Sequence, residues 1–169
     1  MGVEIERKFL VVGTAWRGLA TRRQRMAQGY LNDAVSLDSG AQKASVRVRI
    51  AGEMAALNLK SGEIGCSRQE FEYAIPVADA EALLALCVGG IIYKTRHYLQ
   101  SGAHLWEVDE FHGENAGLVV AEIELDSVED SFERPSWLGA EVTDQTRYYN
   151  PALAARPFAQ WTDEEKNPC

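Results

Sequence analysis

The feature that most constrains this chain is an ionic alternation that keeps returning. It opens at Glu4-Ile5-Glu6-Arg7-Lys8-Phe9 and recurs at Arg47-Val48-Arg49, Asn58-Leu59-Lys60, Glu70-Phe71-Glu72, Lys94-Thr95-Arg96, Glu107-Val108-Asp109 and Glu122-Ile123-Glu124. In an extended strand successive side chains point to opposite faces, so each segment carries its ionic residues on one face and mostly apolar ones on the other. Arg68 lies in phase with Glu70 and Glu72.

Between these segments the punctuation is that of antiparallel β structure. Ala51-Gly52-Glu53 and Ser101-Gly102-Ala103 are hairpin-length connections, and short turns imply antiparallel neighbours. The reading predicts eight strands: 3–12, 26–31, 45–50, 55–60, 68–73, 91–100, 104–111 and 118–126. Thr14 caps a short helical turn through Ala20, and 33–44, rich in Ser, Asp, Gly and Ala, reads as a surface loop. Pro76 ends the fifth strand, and Asp79 caps a helix over 80–88 that Gly89-Gly90 stops. The end of the chain turns helical and irregular, with an amphipathic piece at 157–166.

All 169 residues read as one domain, and 46% hydrophobic residues suit a packed core. Three scattered cysteines, Cys66, Cys87 and Cys169, imply a reduced, cytoplasmic setting. No segment approaches the roughly 18–20 apolar residues of a membrane helix. A net charge of −8 argues against a nucleic-acid partner. The oligomeric state stays open, a homodimer included.

A solvated strand face would mix Ser, Thr, Gln and Lys, whereas these positions are almost wholly Glu, Asp, Arg and Lys. The expected fold is therefore mainly β (α+β): a closed eight-stranded antiparallel β-barrel with a polar lumen, helices packed outside. The lumen would hold seven positive and eight negative groups, one negative in excess. Arg and Lys alone could not offset a polyphosphate there, but divalent cations bridge carboxylate and phosphate oxygens.

The opening Glu4-x-Glu6-x-Lys8 resembles the ExExK signature of the CYTH superfamily, the triphosphate tunnel metalloenzymes, and especially its compact bacterial inorganic triphosphatases. Gln28-Gly29-Tyr30-Leu31, Val46-Arg47-Val48-Arg49, Leu59-Lys60, Glu70-x-Glu72, Lys94-x-Arg96, Asp109-x-Phe111, Glu122-x-Glu124-Leu125 and Trp137-Leu138-Gly139-x-Glu141-Val142-Thr143 follow in the family's order, spanning residues 3 to about 150. The resemblance implies a tunnel in which Arg47, Arg49, Lys60, Lys94 and Arg96 hold a triphosphate. It implies that Glu4, Glu6, Asp109, Glu122 and Glu124 bind metal, Mg²⁺ or Mn²⁺, about two ions. Glu70 and Glu72 would bind metal or position water, and Lys8 with Tyr30 would form a catalytic dyad. The expected activity is metal-dependent hydrolysis of inorganic tripolyphosphate. Class IV adenylate cyclase and thiamine triphosphatase are the alternatives on the same fold, and a non-catalytic polyphosphate or nucleotide sensor is the alternative of another class. Whether Lys8 acts as a base or a clamp stays open, because burial lowers a lysine pKa and neighbouring carboxylates raise it.

Overall fold

The structure, a computed structural model, describes residues 5–61, 69–127 and 129–166; Glu4, Cys66, Arg68 and Cys169 lie outside them. The strands are β1 (Ile5–Val11), β2 (Arg22–Tyr30), β3 (Ala44–Ala51), β4 (Met54–Ser61), β5 (Glu70–Ile75), β6 (Val88–Ser101), β7 (His104–His112), β8 (Val119–Leu125) and β9 (Leu138–Glu141). The helices are α1 (Ala34–Asp38), α2 (Val77–Leu84), α3 (Asn150–Ala155) and α4 (Asp163–Lys166), with 3-10 turns at Ala15–Leu19, Gly113–Asn115, Thr146–Tyr148 and Phe158–Gln160. Gly52 (φ 61°) and Gly102 (φ 59°) supply the left-handed backbone that the β3–β4 and β6–β7 turns require. Among the described residues no helix is long and apolar enough to cross a membrane.

All these strands join one antiparallel sheet in the order β5-β4-β3-β2-β6-β7-β8-β1-β9. The architecture is mainly β with few helices, as expected, but the closed eight-stranded barrel is not what forms. Among the described residues the sheet has nine strands and two edges, β5 and β9. The reason lies in β9, which pairs with β1 through Phe9↔Glu141 and Val11↔Leu138 and so occupies the edge of β1 that closure onto β5 would use.

Other local differences follow from side chains that compete with simple periodicity. β2 starts at Arg22, so the Arg22-Arg23-Gln24-Arg25 run is strand rather than lead-in. Within the expected loop, Asp33 accepts the Ser36 N–H at 2.7 Å and nucleates α1. α2 begins at Val77, with Pro76 rather than Asp79 at its N-cap, and Thr14 makes no side-chain cap.

The sheet's outer face is apolar and covered in two patches. Phe9, Trp106, Val108 and Ile123 pack against Trp16, Phe132 and Trp137. Val48, Ala55 and Leu57 pack against Ala80, Leu83 and Leu84 of α2. The inner face changes character along its length. Beyond the ionic residues, Leu10, Tyr30, Ile92, Phe111 and Val120 continue the same strand phase, and on them sit Val142, Tyr148, Leu153 and Trp161. The C-terminal segment thus seals one end of the inner face instead of covering the outside, and the curled sheet becomes a cup with an apolar floor.

Candidate active site

The cup encloses a cavity of about 1320 Å³, walled by the ionic rows and floored by residues 143–152. Of the sequence-predicted residues, Glu6, Lys8, Tyr30, Arg47, Arg49, Lys60, Glu70, Glu72, Lys94, Arg96, Glu122 and Glu124 all line it. Strand pairing sets their neighbours: Lys8 lies opposite Glu122, Glu6 opposite Glu124, Arg96 opposite Asp109, Arg47 opposite Tyr30 and Lys60 opposite Glu70.

The charges divide into two banks flanking β2. On β3, β4 and β5, Arg49 meets Glu72 at 3.0 Å, Lys60 meets Glu70 at 3.2 Å, and Arg47 meets Glu70 at 3.9 Å. Three cations here outnumber two carboxylates. The Arg47 Nε and the Asn58 Oδ1 are buried without a hydrogen-bond partner among the described residues, although the Asn58 amide donates to Glu70 at 3.2 Å. On β6, β7, β8 and β1 the balance reverses, with Lys94, Arg96 and Lys8 against Glu107, Asp109, Glu122, Glu124 and Glu6. A cup with one net-positive and one net-negative bank suits a ligand that pairs an anion with a cation.

Asp109, 1% exposed, is the anchor of the acidic bank rather than part of its open surface. Its Oδ1 accepts from Arg96 Nε at 2.7 Å, and its Oδ2 accepts from Arg96 Nη2 at 2.7 Å and Lys94 Nζ at 2.5 Å. Burial opposes its charge, but Arg96 and Lys94 outweigh burial and hold the carboxyl far below the usual range. Arg96 also donates to Glu107 and, at 3.0 Å, to Glu122.

Lys8 is 2% exposed and ion-paired with Glu122, with Glu6 at 3.6 Å. Burial disfavours its ammonium, yet Glu122 and then Glu6 more than compensate, so its pKa lies above the ordinary lysine value. Glu122 and Glu6 thus favour its ammonium form. The two members of the expected dyad, Tyr30 and Lys8, are not hydrogen-bonded to each other; the phenol accepts from Gln28 Nε2 at 3.4 Å, and burial raises its pKa. Tyr30 and Lys8 line the same cavity although they lie four strands apart in the sheet order, so the sheet curls far enough to bring β1 and β2 to face one another.

The donor set admits a hard cation at Glu6, Glu122 and Glu124. Glu6 reaches the mouth with its side chain 42% exposed, but burial in the wall and the charge of Glu122 push its carboxyl up to about 7. Carboxylates drawn together in this way repel one another unless one is protonated or a cation lies between them. The described residues alone bring no three His, Cys, Asp or Glu groups into a preformed metal cluster; the Glu4 position falls outside them. Asp109, expected as a metal ligand, does not face this cavity: unlike Glu122 it is 1% exposed and absent from the lining, and its two oxygens accept three hydrogen bonds from Arg96 and Lys94.

Sequence reasoning missed three contributors. Gln28, 1% exposed, entered only within the Gln28-Gly29-Tyr30-Leu31 match, with no role assigned to it. Thr143 and Tyr149 lie in an irregular segment where no periodicity marks them, yet both line the cup and hold Lys8: Thr143 Oγ1 accepts its backbone N–H at 3.0 Å, and the Tyr149 ring centre lies 4.6 Å from its Nζ.

Comparison with known proteins agrees with this architecture. The CYTH domain matches residues 2–156. An inorganic triphosphatase of Acetivibrio thermocellus is 42% identical over 164 residues, 96% of this chain and all of that protein. One from Nitrosomonas europaea is 37% identical over 158 residues, 89% of this chain and 96% of that protein. The crystal structure of the inorganic triphosphatase NE1496 superposes with a TM-score of 0.67 at 33% identity, covering 91% of this chain and 95% of that one. With its ionic rows, curled antiparallel sheet and nearly full-length match, the chain belongs to the CYTH domain family.

Proposed function

We propose that this protein hydrolyses inorganic tripolyphosphate to pyrophosphate and orthophosphate with the help of divalent cations. The observation that carries the reading is the two-bank cup: phosphate oxygens find Arg47, Arg49 and Lys60 on one side, and the carboxylates opposite find a cation. The names of the curated relatives point to the same substrate.

In this reading Arg47, Arg49 and Lys60 hold the phosphate chain, with Lys94 and Arg96 completing its contacts from the other bank. The fork-shaped guanidinium of Arg47, with its unpartnered Nε, suits two oxygens of one phosphate. Glu6, Glu122 and Glu124, with Glu4 beside them in sequence, are the residues that would hold Mg²⁺ or Mn²⁺. Glu70 and Glu72 serve a second ion or position water. When bound, the cation neutralises phosphate charge and favours attack by water. The water oxygen bonds to a terminal phosphorus as the bridging P–O bond breaks, and pyrophosphate leaves. The Lys8 ammonium stabilises charge on the phosphate oxygens in the transition state, a role that needs no proton transfer.

Purified protein should release orthophosphate from tripolyphosphate in the presence of Mg²⁺ or Mn²⁺, faster than from ATP or thiamine triphosphate. Cyclic AMP as the main product from ATP would identify a cyclase. Absence of turnover with either metal, alongside tight tripolyphosphate binding, would identify a sensor.

A further inference from the structure

Lys8 has a partner in the cup that is not a carboxylate. Lys8 is bounded by Glu122, by Glu6 at 3.6 Å and by the Tyr149 ring, whose centre is 4.6 Å from Nζ. Both carboxylates belong to the set proposed to hold the cation. Once they do so, they can no longer fix the ammonium by themselves, whereas an aromatic face attracts an ammonium without ligating a hard metal ion.

The ring is itself held. Tyr149 Oη donates to the Thr143 carbonyl at 2.7 Å. Thr143 in turn grips the Lys8 backbone: its hydroxyl oxygen accepts the Lys8 N–H at 3.0 Å and donates to Glu141 at 2.8 Å, while Val142 N–H donates to the Lys8 carbonyl at 2.8 Å. A side-chain hydroxyl here takes the place of a ladder carbonyl just beyond β9. Glu141 is tied to Arg7 on the outer face, where Arg7 Nε donates at 2.8 Å. One continuous set of bonds therefore runs from the outside of β1, through Thr143, to the ring over Nζ.

We propose that Tyr149 and Thr143 are positioning residues for Lys8: the ring fixes the ammonium and the hydroxyl fixes its backbone, so that Nζ stays aimed at the substrate phosphate while the carboxylates serve the cation. The inference rests on the triphosphatase reading for its kinetic consequence, but the brace itself is a property of the free protein.

Four variants test it: Tyr149→Phe, Tyr149→Leu, Thr143→Ser and Thr143→Val, with Tyr149→Met replacing the leucine variant should that one not fold. Each is measured for kcat and KM with tripolyphosphate. Metal-free protein is measured for the rate of Lys8 acetylation by acetic anhydride, followed by peptide mass. Tyr149→Phe and Thr143→Ser keep the ring and the hydroxyl and should stay within about threefold of wild type, while Tyr149→Leu and Thr143→Val lower kcat by about tenfold or more with little change in KM. Lys8 acetylation should rise severalfold in Tyr149→Leu, because the ring that lies over Nζ in the wild type no longer shields it from the reagent. Unchanged kcat and labelling in Tyr149→Leu would overturn the brace, as would a Thr143→Ser variant as impaired as Thr143→Val. A wild-type protein with no turnover would instead refute the triphosphatase reading, and the acetylation rates would still decide the brace.

Discussion

In the proposed mechanism the chemistry turns on Lys8 and Glu122, and each has a second partner that survives loss of the first. Lys8→Met leaves Glu122 with Arg96 at 3.0 Å, and Glu122→Gln leaves Lys8 with Glu6 at 3.6 Å. Both shape-preserving changes should lower kcat by about a hundredfold or more while the protein still melts cooperatively, as activity assays and thermal unfolding would record. Turnover near the wild-type rate in either variant contradicts the roles assigned to them. A different residue sets an acid response. His97, 3% exposed, stacks edge-on to Trp16 with ring centres 4.9 Å apart, and its Nε2 lies 3.3 Å from Glu110. Its Nδ1 is buried without a partner among the described residues, and Arg17 and Arg23 stand nearby. Burial lowers its pKa below the ordinary value, so the unfolded chain binds the proton more readily. Its contribution to stability is complete above about pH 6.5 and is lost as pH falls through the depressed folded value. Melting temperatures from pH 8 to 5 should fall less steeply in His97→Leu than in wild type; parallel slopes would remove His97 from the account. The ionic residues themselves were legible because a two-residue period declares a shared face. Thr143, Tyr149 and the anchoring of Asp109 were not, because they depend on which segments meet in space.

At the level of elements, the apolar outer face relies on close docking of the α2–β6 connection against β2. A Cβ at Gly29 would lie 2.7 Å from Cys87 Sγ and 2.9 Å from both Cys87 Cβ and Ile91 Cδ1. Gly29→Ala should therefore cost about 1–3 kcal/mol by overpacking, lowering the melting temperature by several degrees. Gly18, whose Cβ would meet nothing within 4 Å, provides the control, and Gly18→Ala should leave the melting temperature unchanged or raise it. The seven ionic strands could be read from the chain because each is long enough to show alternation. β9 could not: it has four residues, Leu138–Glu141, with no ionic alternation, and is strand only because β1 offers it a free edge. That short element is also what separates an open cup from a closed barrel, since closure depends on edge occupancy rather than on any strand's own pattern. The same limit applies along each strand. Alternation showed that Lys94 and Ile92 share a face, but not that the face passes from ionic wall to apolar floor between them.

For the molecule as a whole, the proposed reading makes the two banks couple anion and cation binding. Either ligand alone faces uncompensated like charge in part of the cup, and each relieves it for the other. Thermal unfolding with Mg²⁺, with a nitrogen-bridged tripolyphosphate analogue, and with both should show a combined shift larger than the sum of the separate ones. A ligand at a hundredfold its Kd adds about 2.7 kcal/mol by mass action alone, so any excess reports the coupling. Strictly additive shifts would mean that the banks act independently. The sealed floor carries a further consequence for traffic. Val142, Tyr148, Leu153 and Trp161 pack on Leu10, Ile92, Phe111 and Val120 and shut that end of the cup. Among the described residues that end gives no passage, so in the proposed reaction tripolyphosphate and pyrophosphate would share the opposite side of the cup, and a longer polyanion would present its tip to be trimmed rather than threaded.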